Sequence, residues 1–278
     1  MHELVELLKK RVVHDLPAAE YHAAEALGSS TIRALLSSTP AHALYKLQNS
    51  EPSEAMALGT AVHCAVLTPA LYRDEIAVAP KCDRRTKDGK DLYARFLESV
   101  GDRTVISAEQ QVVVESISTE IRDCRTASAL LDRCQQRELS LFHLDKYATK
   151  ARLDAYGRGI VLDIKTTRDA SRAGFERSIS QYGYGIQAAH YRRVMEGVQL
   201  PFSDFIFIVV ETEPPYGVAV YAMEEEVIAL YEPQVEQAIS DWTVCQETQS
   251  FRAYPDEIQK VGVPRWLRRQ LEEGAMAA

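Results

Sequence analysis

The chain has 278 residues, 46% of them hydrophobic and 26% charged, with a formal net charge of −8 at pH 7. That balance is ordinary for a soluble globular protein, and the length allows one large core or two modest domains. The longest apolar runs, such as Phe205–Val210, fall far short of the ~20 residues of a membrane span, so no membrane association is expected. The opening Met-His-Glu-Leu-Val-Glu-Leu-Leu-Lys-Lys lacks a signal-peptide pattern, and a cytoplasmic protein is expected.

In chain order, residues 3–12 read as a short amphipathic helix, followed by a Ser-led helix at Ser30–Leu36 that Pro40 redirects. Ala41–Leu47 and Ala57–Leu67 read as helices, Lys81–Lys90 as a polar loop made mobile by Gly89, and Leu92–Ser99 and Ala108–Asp132 as helices. From Arg137 the rhythm changes to period two. Glu138–Leu144 reads as a strand, and two more strands follow as a hairpin around Gly157 and Gly159. Ser178–Met195 reads as one helix, Phe205–Val210 and Val218–Ala222 as strands, and Glu224–Cys245 and Pro264–Glu273 as helices. The expectation is an α/β protein of one domain over 1–278. It has a mainly helical part at 1–135, a β-β-β-α-β-β-α core at 136–250, and a helical tail at 251–278.

The hairpin carries the chemistry. Period two places Asp163 and Lys165 on one face of the second strand and turns Ile164 to the other, and the first strand can bring Asp154 alongside. Two carboxylates beside an ammonium can bind a divalent cation and position a water for attack on a phosphodiester; the alternative is a surface hairpin with ordinary charges. Upstream, His63 lies four residues after Gly59 on an apolar helix, where a lone histidine by default reads as a core residue. Downstream, Gln187 and Tyr191 share a helix face at i and i+4.

Taken in order, Ser29/Ser30, Gly59…His63, Asp154, Asp163…Lys165 and Gln187…Tyr191 resemble the RecB-like branch of the PD-(D/E)XK nucleases, closest to the RecE (exonuclease VIII) type of phage exonuclease. Leu153 stands where the superfamily name implies Pro. The resemblance implies a mixed central sheet flanked by helices and a Mg²⁺-dependent site at which Mn²⁺ can substitute. Its ligands would be Asp154, Asp163, the Ile164 carbonyl and His63, the last as ligand or as partner of one. Lys165 would contact the attacking water and the scissile phosphate. Gln187 and Tyr191 would orient the phosphate or the lysine, with Tyr191 stacking near DNA. Glu138 either joins this site or is a rim charge. Ser29 and Ser30 either cap their helix or present hydroxyls and free N–H groups to a terminal phosphate, with Arg33 or Arg152 gripping it.

The implied activity is resection of the 5′-ended strand of duplex ends, leaving 3′ overhangs for a single-strand annealing protein in phage-type recombination. Two other readings stand beside it: a Cas4-like or structure-specific nuclease, and a DNA-end-binding module without catalysis. Cys64, Cys82, Cys124, Cys134 and Cys245 include no C-x2-C pair, so no iron–sulfur cluster is expected, which argues against the Cas4-like reading. The acidic net charge is set against local basic clusters: Arg84, Arg85 and Lys87 in the Lys81–Lys90 loop, Arg168, Arg172 and Arg177, the pair Arg192 and Arg193, and Arg265, Arg268 and Arg269. These are expected to face DNA, the Lys81–Lys90 loop above all. The resemblance further implies a homo-oligomeric ring, a trimer or tetramer, threading duplex through its channel.

Overall fold

The structure, a computed structural model, describes residues 2–49 and 52–276. Helix α1 (His2–Lys10), strand β1 (Val12–Val13) and helices α2 (Ala18–Ala23), α3 (Ser29–Ser37) and α4 (Pro40–Gln48) come first. Next are α5 (Glu54–Leu67), a 3-10 turn, α6 (Tyr72–Glu75), β2 (Ile76–Val78), α7 (Lys87–Val100), β3 (Thr104–Ile106), α8 (Ala108–Asp123) and α9 (Arg125–Arg133). The second half runs β4 (Gln136–Leu144), β5 (Ala148–Gly157), β6 (Ile160–Thr167), α10 (Arg172–Tyr182), α11 (Tyr184–Gly197), β7 (Asp204–Glu211), β8 (Val218–Ala222), α12 (Glu225–Thr248) and α13 (Arg265–Met276).

One six-stranded sheet, ordered β1-β4-β5-β6-β7-β8, organises the molecule, and helices cover both of its faces. Within this sheet only β6 and β7 pair in parallel; the other neighbours are antiparallel. The parallel pair needs a crossover, which α10 and α11 supply. Leu139, Leu141, Leu153, Val161, Phe205 and Phe207 pack with α3, α11 and α12 on one face, while Leu162, Ile164, Ile208 and Val210 pack with α5 and α8 on the other. This alternation matches the period-two expectation for β6: Asp163 and Lys165 share the Val161 side, and Ile164 points away. The β5–β6 turn is as the glycines imply, with Arg158 (φ 51) and Gly159 (φ 88) both left-handed, as tight antiparallel hairpins require.

Several elements differ from the sequence expectation. The helix expected over Ser178–Met195 is two helices, because Gly183 takes φ 66, a left-handed stop that ends α10 while its N–H bonds to the Ile179 carbonyl. The helix expected over Ala108–Asp132 breaks at Cys124, whose backbone is extended. The Lys81–Lys90 segment is a loop only as far as Thr86, which caps α7 by accepting the Gly89 N–H. Gly89 is therefore not a hinge: it is buried in the first turn of α7, where an added Cβ would come 2.1 Å from the Asp83 carbonyl oxygen. Strands β1, β2 and β3 are too short for alternation to reveal. Among the described residues no single helix is long and apolar enough to cross a membrane; α5 is apolar because Ala61, Val62, Cys64 and Leu67 face the core.

Candidate active site

The site lies where two paired strands part. Strands β5 and β6 are in register from Gly157↔Ile160 to Ala155↔Leu162, and pairing ends there. Beyond that point the Asp154 carboxylate occupies the gap, its Oδ2 accepting the Ile164 N–H at 2.8 Å. The edge of β5 that β6 leaves open is taken up by Leu27, whose N–H donates to Ala148 and whose carbonyl accepts from Lys150, both at 2.8 Å. This places Gly28 and the first turn of α3 in the fork beside Asp154. A backbone N–H in a fork needs an acceptor, and a carboxylate supplies one without closing the sheet.

Two groups of side chains meet there. In the first, the ligand atoms of His63, Glu138 and Asp154 lie within 4.8 Å of one another. His63 reaches in from α5, with Nε2 2.8 Å from the Ile164 carbonyl and Nδ1 3.5 Å from Asp154 Oδ2. Glu138 sits between the register pairs Arg137↔Ala155 and Leu139↔Leu153, across from Asp154, with a left-handed backbone at φ 48. Its Oε2 accepts the Nε–H of Arg152 at 2.6 Å. Burial pushes the Asp154 carboxyl up to about 7; the His63 ring opposes this, and the nearby charges of Asp163 and Glu138 add to it. A carboxylate that resists charging, beside a second carboxylate and an imidazole, is a donor set that a divalent cation fits, because the cation supplies the missing positive charge.

The second group is on the α11 side of β6. Asp163, 2% exposed, accepts the Gln187 Nε2–H at 2.7 Å on Oδ1 and forms an ion pair with Lys165 through Oδ2, outside hydrogen-bond geometry. Lys165 Nζ stands 4.9 Å from the centroid of the Tyr184 ring. The expected ligand set is thus divided: Asp154 and His63 are brought together with Glu138, whereas Asp163 stands in the adjoining group and the Ile164 carbonyl already faces His63. Glu138 is inside the site rather than on its rim.

A cavity of about 690 Å³ opens beside the first of these groups, lined among others by Ser29, Ser30, Glu138, Lys150, Arg152, Asp154 and Tyr191. Helix α3 has Gly28 as N-cap with no side-chain cap, so the capping role is not taken by Ser29 or Ser30. Both serines line this cavity, at the helix start where the first amides have no intrahelical acceptor. Arg33 is not at the same end: its Nη1 donates to the Tyr182 carbonyl at 2.8 Å, closing the end of α10. Tyr191, 8% exposed, packs in the core with its ring 5.9 Å from Phe205, so its ring is not free to stack on a base.

Lys150 was not singled out by the sequence, although its period-two spacing with Arg152 and Asp154 is the signal that would have marked it. It is 8% exposed, and its Nζ donates to the carbonyls of Tyr21, His22 and Ala24 at 2.7, 3.2 and 2.8 Å. Burial lowers its pKa to about 8. It ties the end of α2, and with it the entry to α3, onto β5.

The basic clusters divide. Arg84, Arg85 and Lys87 are exposed, with Arg84 4.8 Å from the Tyr93 ring centroid and Arg85 3.5 Å from Asp83. Lys81, by contrast, has Glu109 at 3.4 Å, an acid outside the loop. Arg192 pairs with Glu232, and Arg193 with Glu236 and Asp145; both pin α11 to its surroundings, so they are not free cations for DNA. Arg172 and Arg177 likewise pair with Glu176 and Asp169.

Comparison with known proteins bears on the fold that carries this site. A crystal structure of a putative exonuclease from Eubacterium rectale has the same fold, with TM-score 0.61 and 12% identity over 91% of this chain and 97% of that one. The structure of SSO0001 is a distant second likeness, at TM-score 0.34 and 14% identity over 86% of this chain and 84% of that one. No curated protein matches in sequence. A family model, described as a PDDEXK-like domain of unknown function (DUF3799), matches residues 28–261, a span that holds the fork and both side-chain groups. The chain belongs to this PDDEXK-like family, whose fold is that of the PD-(D/E)XK nucleases.

Proposed function

We propose that this protein is a Mg²⁺-dependent exonuclease of double-stranded DNA, able to use Mn²⁺, that resects the 5′-ended strand and leaves 3′ overhangs. The observation that carries the reading is the fork itself. It gathers ligand atoms of His63, Glu138 and Asp154 within 4.8 Å of one another, with Glu138 and Asp154 lining the larger cavity, and sets the Asp163–Lys165–Gln187 group on the adjoining strand and helix. A divalent ion there would supply the charge stabilisation that phosphodiester hydrolysis needs. Lys165 would meet a phosphate oxygen or the attacking water, and Gln187 fixes the Asp163 carboxylate that holds Lys165. The serines at the start of α3 would receive a phosphate. Digestion of a linear duplex labelled separately at each 5′ and 3′ end, with and without Mg²⁺, tests catalysis, metal need and polarity together. Release of 3′ label first would overturn the polarity, and no release of either label with either metal would overturn the activity.

The same reading assigns the protein to phage-type recombination, with a single-strand annealing protein as partner and a trimeric or tetrameric ring as the working form. A closed ring keeps an acidic enzyme on its substrate between cuts. Light scattering at micromolar concentration tests the ring; a stable 31.2 kDa monomer that is processive under a competitor trap would overturn it.

A further inference from the structure

Glu138 serves two neighbours at once. Its carboxylate belongs to the group with His63 and Asp154, and the same carboxylate accepts the Nε–H of Arg152. The Arg152 side chain is only 17% exposed, so this is not a solvated surface pair. The Arg152 Nη1 is buried without an acceptor, among the described residues Glu138 is the one hydrogen-bond partner of the Arg152 side chain, and the guanidinium carbon stands 5.4 Å from the centroid of the Tyr21 ring. Glu138 and Arg152 also line both the 690 Å³ cavity and a second one of about 410 Å³ that reaches His63, so the pair stands in the wall between the two. The left-handed backbone of Glu138, costly for a residue with a Cβ, holds its carboxylate at this junction.

We propose that Arg152 couples phosphate binding to metal binding. A phosphate group entering the larger cavity draws the guanidinium off Glu138 and releases that carboxylate to the divalent ion beside Asp154 and His63. This rests on the nuclease reading, which is what brings phosphate and metal to the cleft together. A guanidinium grips a phosphate through two parallel charge-assisted bonds, better than it is served here by a single carboxylate oxygen. While Arg152 stays on Glu138 it neutralises a ligand and sets a positive charge beside the cation site. The coupling is reciprocal: whatever factor phosphate adds to metal affinity, metal adds to phosphate affinity. Arg152 is in this scheme a positioning residue for the metal site.

The test is Mn²⁺ affinity, read by electron paramagnetic resonance, with and without deoxyribose 5-phosphate as a monoester or dimethyl phosphate as a diester. A saturating ester is expected to tighten Mn²⁺ binding about tenfold, within the usual range of site-to-site coupling. A response to the monoester alone assigns the cavity to a terminal phosphate, and a response to both assigns it to the backbone. Arg152→Met should bind Mn²⁺ without ester about as tightly as the wild type does with it, and should not respond further. Glu138→Gln, measured by calorimetry without metal, should bind the ester about fivefold more tightly than the wild type, because its Arg152 is free; this arm stands even if Arg152→Met does not fold. Mn²⁺ affinity unmoved by either ester, or ester affinity unmoved by Glu138→Gln, overturns the coupling. A wild type that cuts duplex without such coupling loses this proposal and keeps the nuclease; coupling without cleavage does the reverse.

Discussion

The acids on β5 and β6 face the same fork and are treated in opposite ways. Asp163 is matched on both oxygens, by Gln187 and by Lys165, and its charge is balanced within the protein. Asp154 has a backbone N–H and an imidazole at 3.5 Å, and burial drives its carboxyl up to about 7. One acid is a fixed part of the scaffold around Lys165, and the other is driven toward its protonated form by burial and by neighbouring acids. The difference comes from the packing: α11 lays a polar side chain over β6, while the gap between β5 and β6 leaves Asp154 among other acids.

The largest effect should come from breaking the balanced side. Asp163→Ala removes the partner of Lys165 and Gln187 together and should cost at least ~10³-fold in cleavage of end-labelled duplex, with Lys165→Ala comparably inactive. Near wild-type cleavage by Asp163→Ala would mean that the fork is not where the bond is broken. Gln187→Leu isolates one interaction of the same group. A hydrogen bond to a charged group contributes ~1.5–3 kcal/mol, so about ten- to a hundredfold slower cleavage is expected, with the fold intact by circular dichroism.

The Asp154 side is tested by pH. Below about pH 7 a proton competes with the metal at Asp154, so Mn²⁺ affinity measured by calorimetry should fall by up to about tenfold per pH unit as pH drops. The sign for stability is opposite without metal. The folded state holds a proton that the unfolded chain, titrating near ~3.9, has released. Metal-free stability should therefore fall as pH rises from about 4 to about 7, and Mn²⁺ should offset the loss above that window. Asp154→Asn should flatten both dependences; profiles unchanged by that substitution would assign them to another group.

The smallest effect belongs to cations that pack against little. Replacing Arg84, Arg85 and Lys87 with Ala should leave the melting temperature within about a degree or two of the wild type, since exposed side chains contribute little. Duplex binding should weaken, with the salt slope reduced by roughly 0.9 for each phosphate no longer neutralised. An unchanged slope would assign the loop to another protein surface.

Local pattern carried a good deal. Period two alone placed Asp163 and Lys165 together and turned Ile164 away, and the glycine pair marked the turn of the hairpin. The order of the motifs, from Ser29 to Tyr191, pointed to the PD-(D/E)XK fold before any tertiary pairing was known. What pattern could not carry was whether an interruption ends an element. Gly183 stops a helix because its left-handed φ is realised there, whereas Gly59 lies inside α5 and does not. Gly89 looks like a hinge in sequence, yet it is small because the Asp83 carbonyl crosses above it.

The sequence by itself determined which residues share a face of one strand or one helix, because those relations follow from a fixed local period. Only the tertiary structure decided which acid keeps company with which base. It paired Glu138 with Arg152 across β4 and β5, gave Gln187 to Asp163, set Tyr191 in the core, and committed Arg192 and Arg193 to holding α11. Such pairings depend on register and on the point where β5 and β6 part, and both are set by the packing of distant segments, which no local period records.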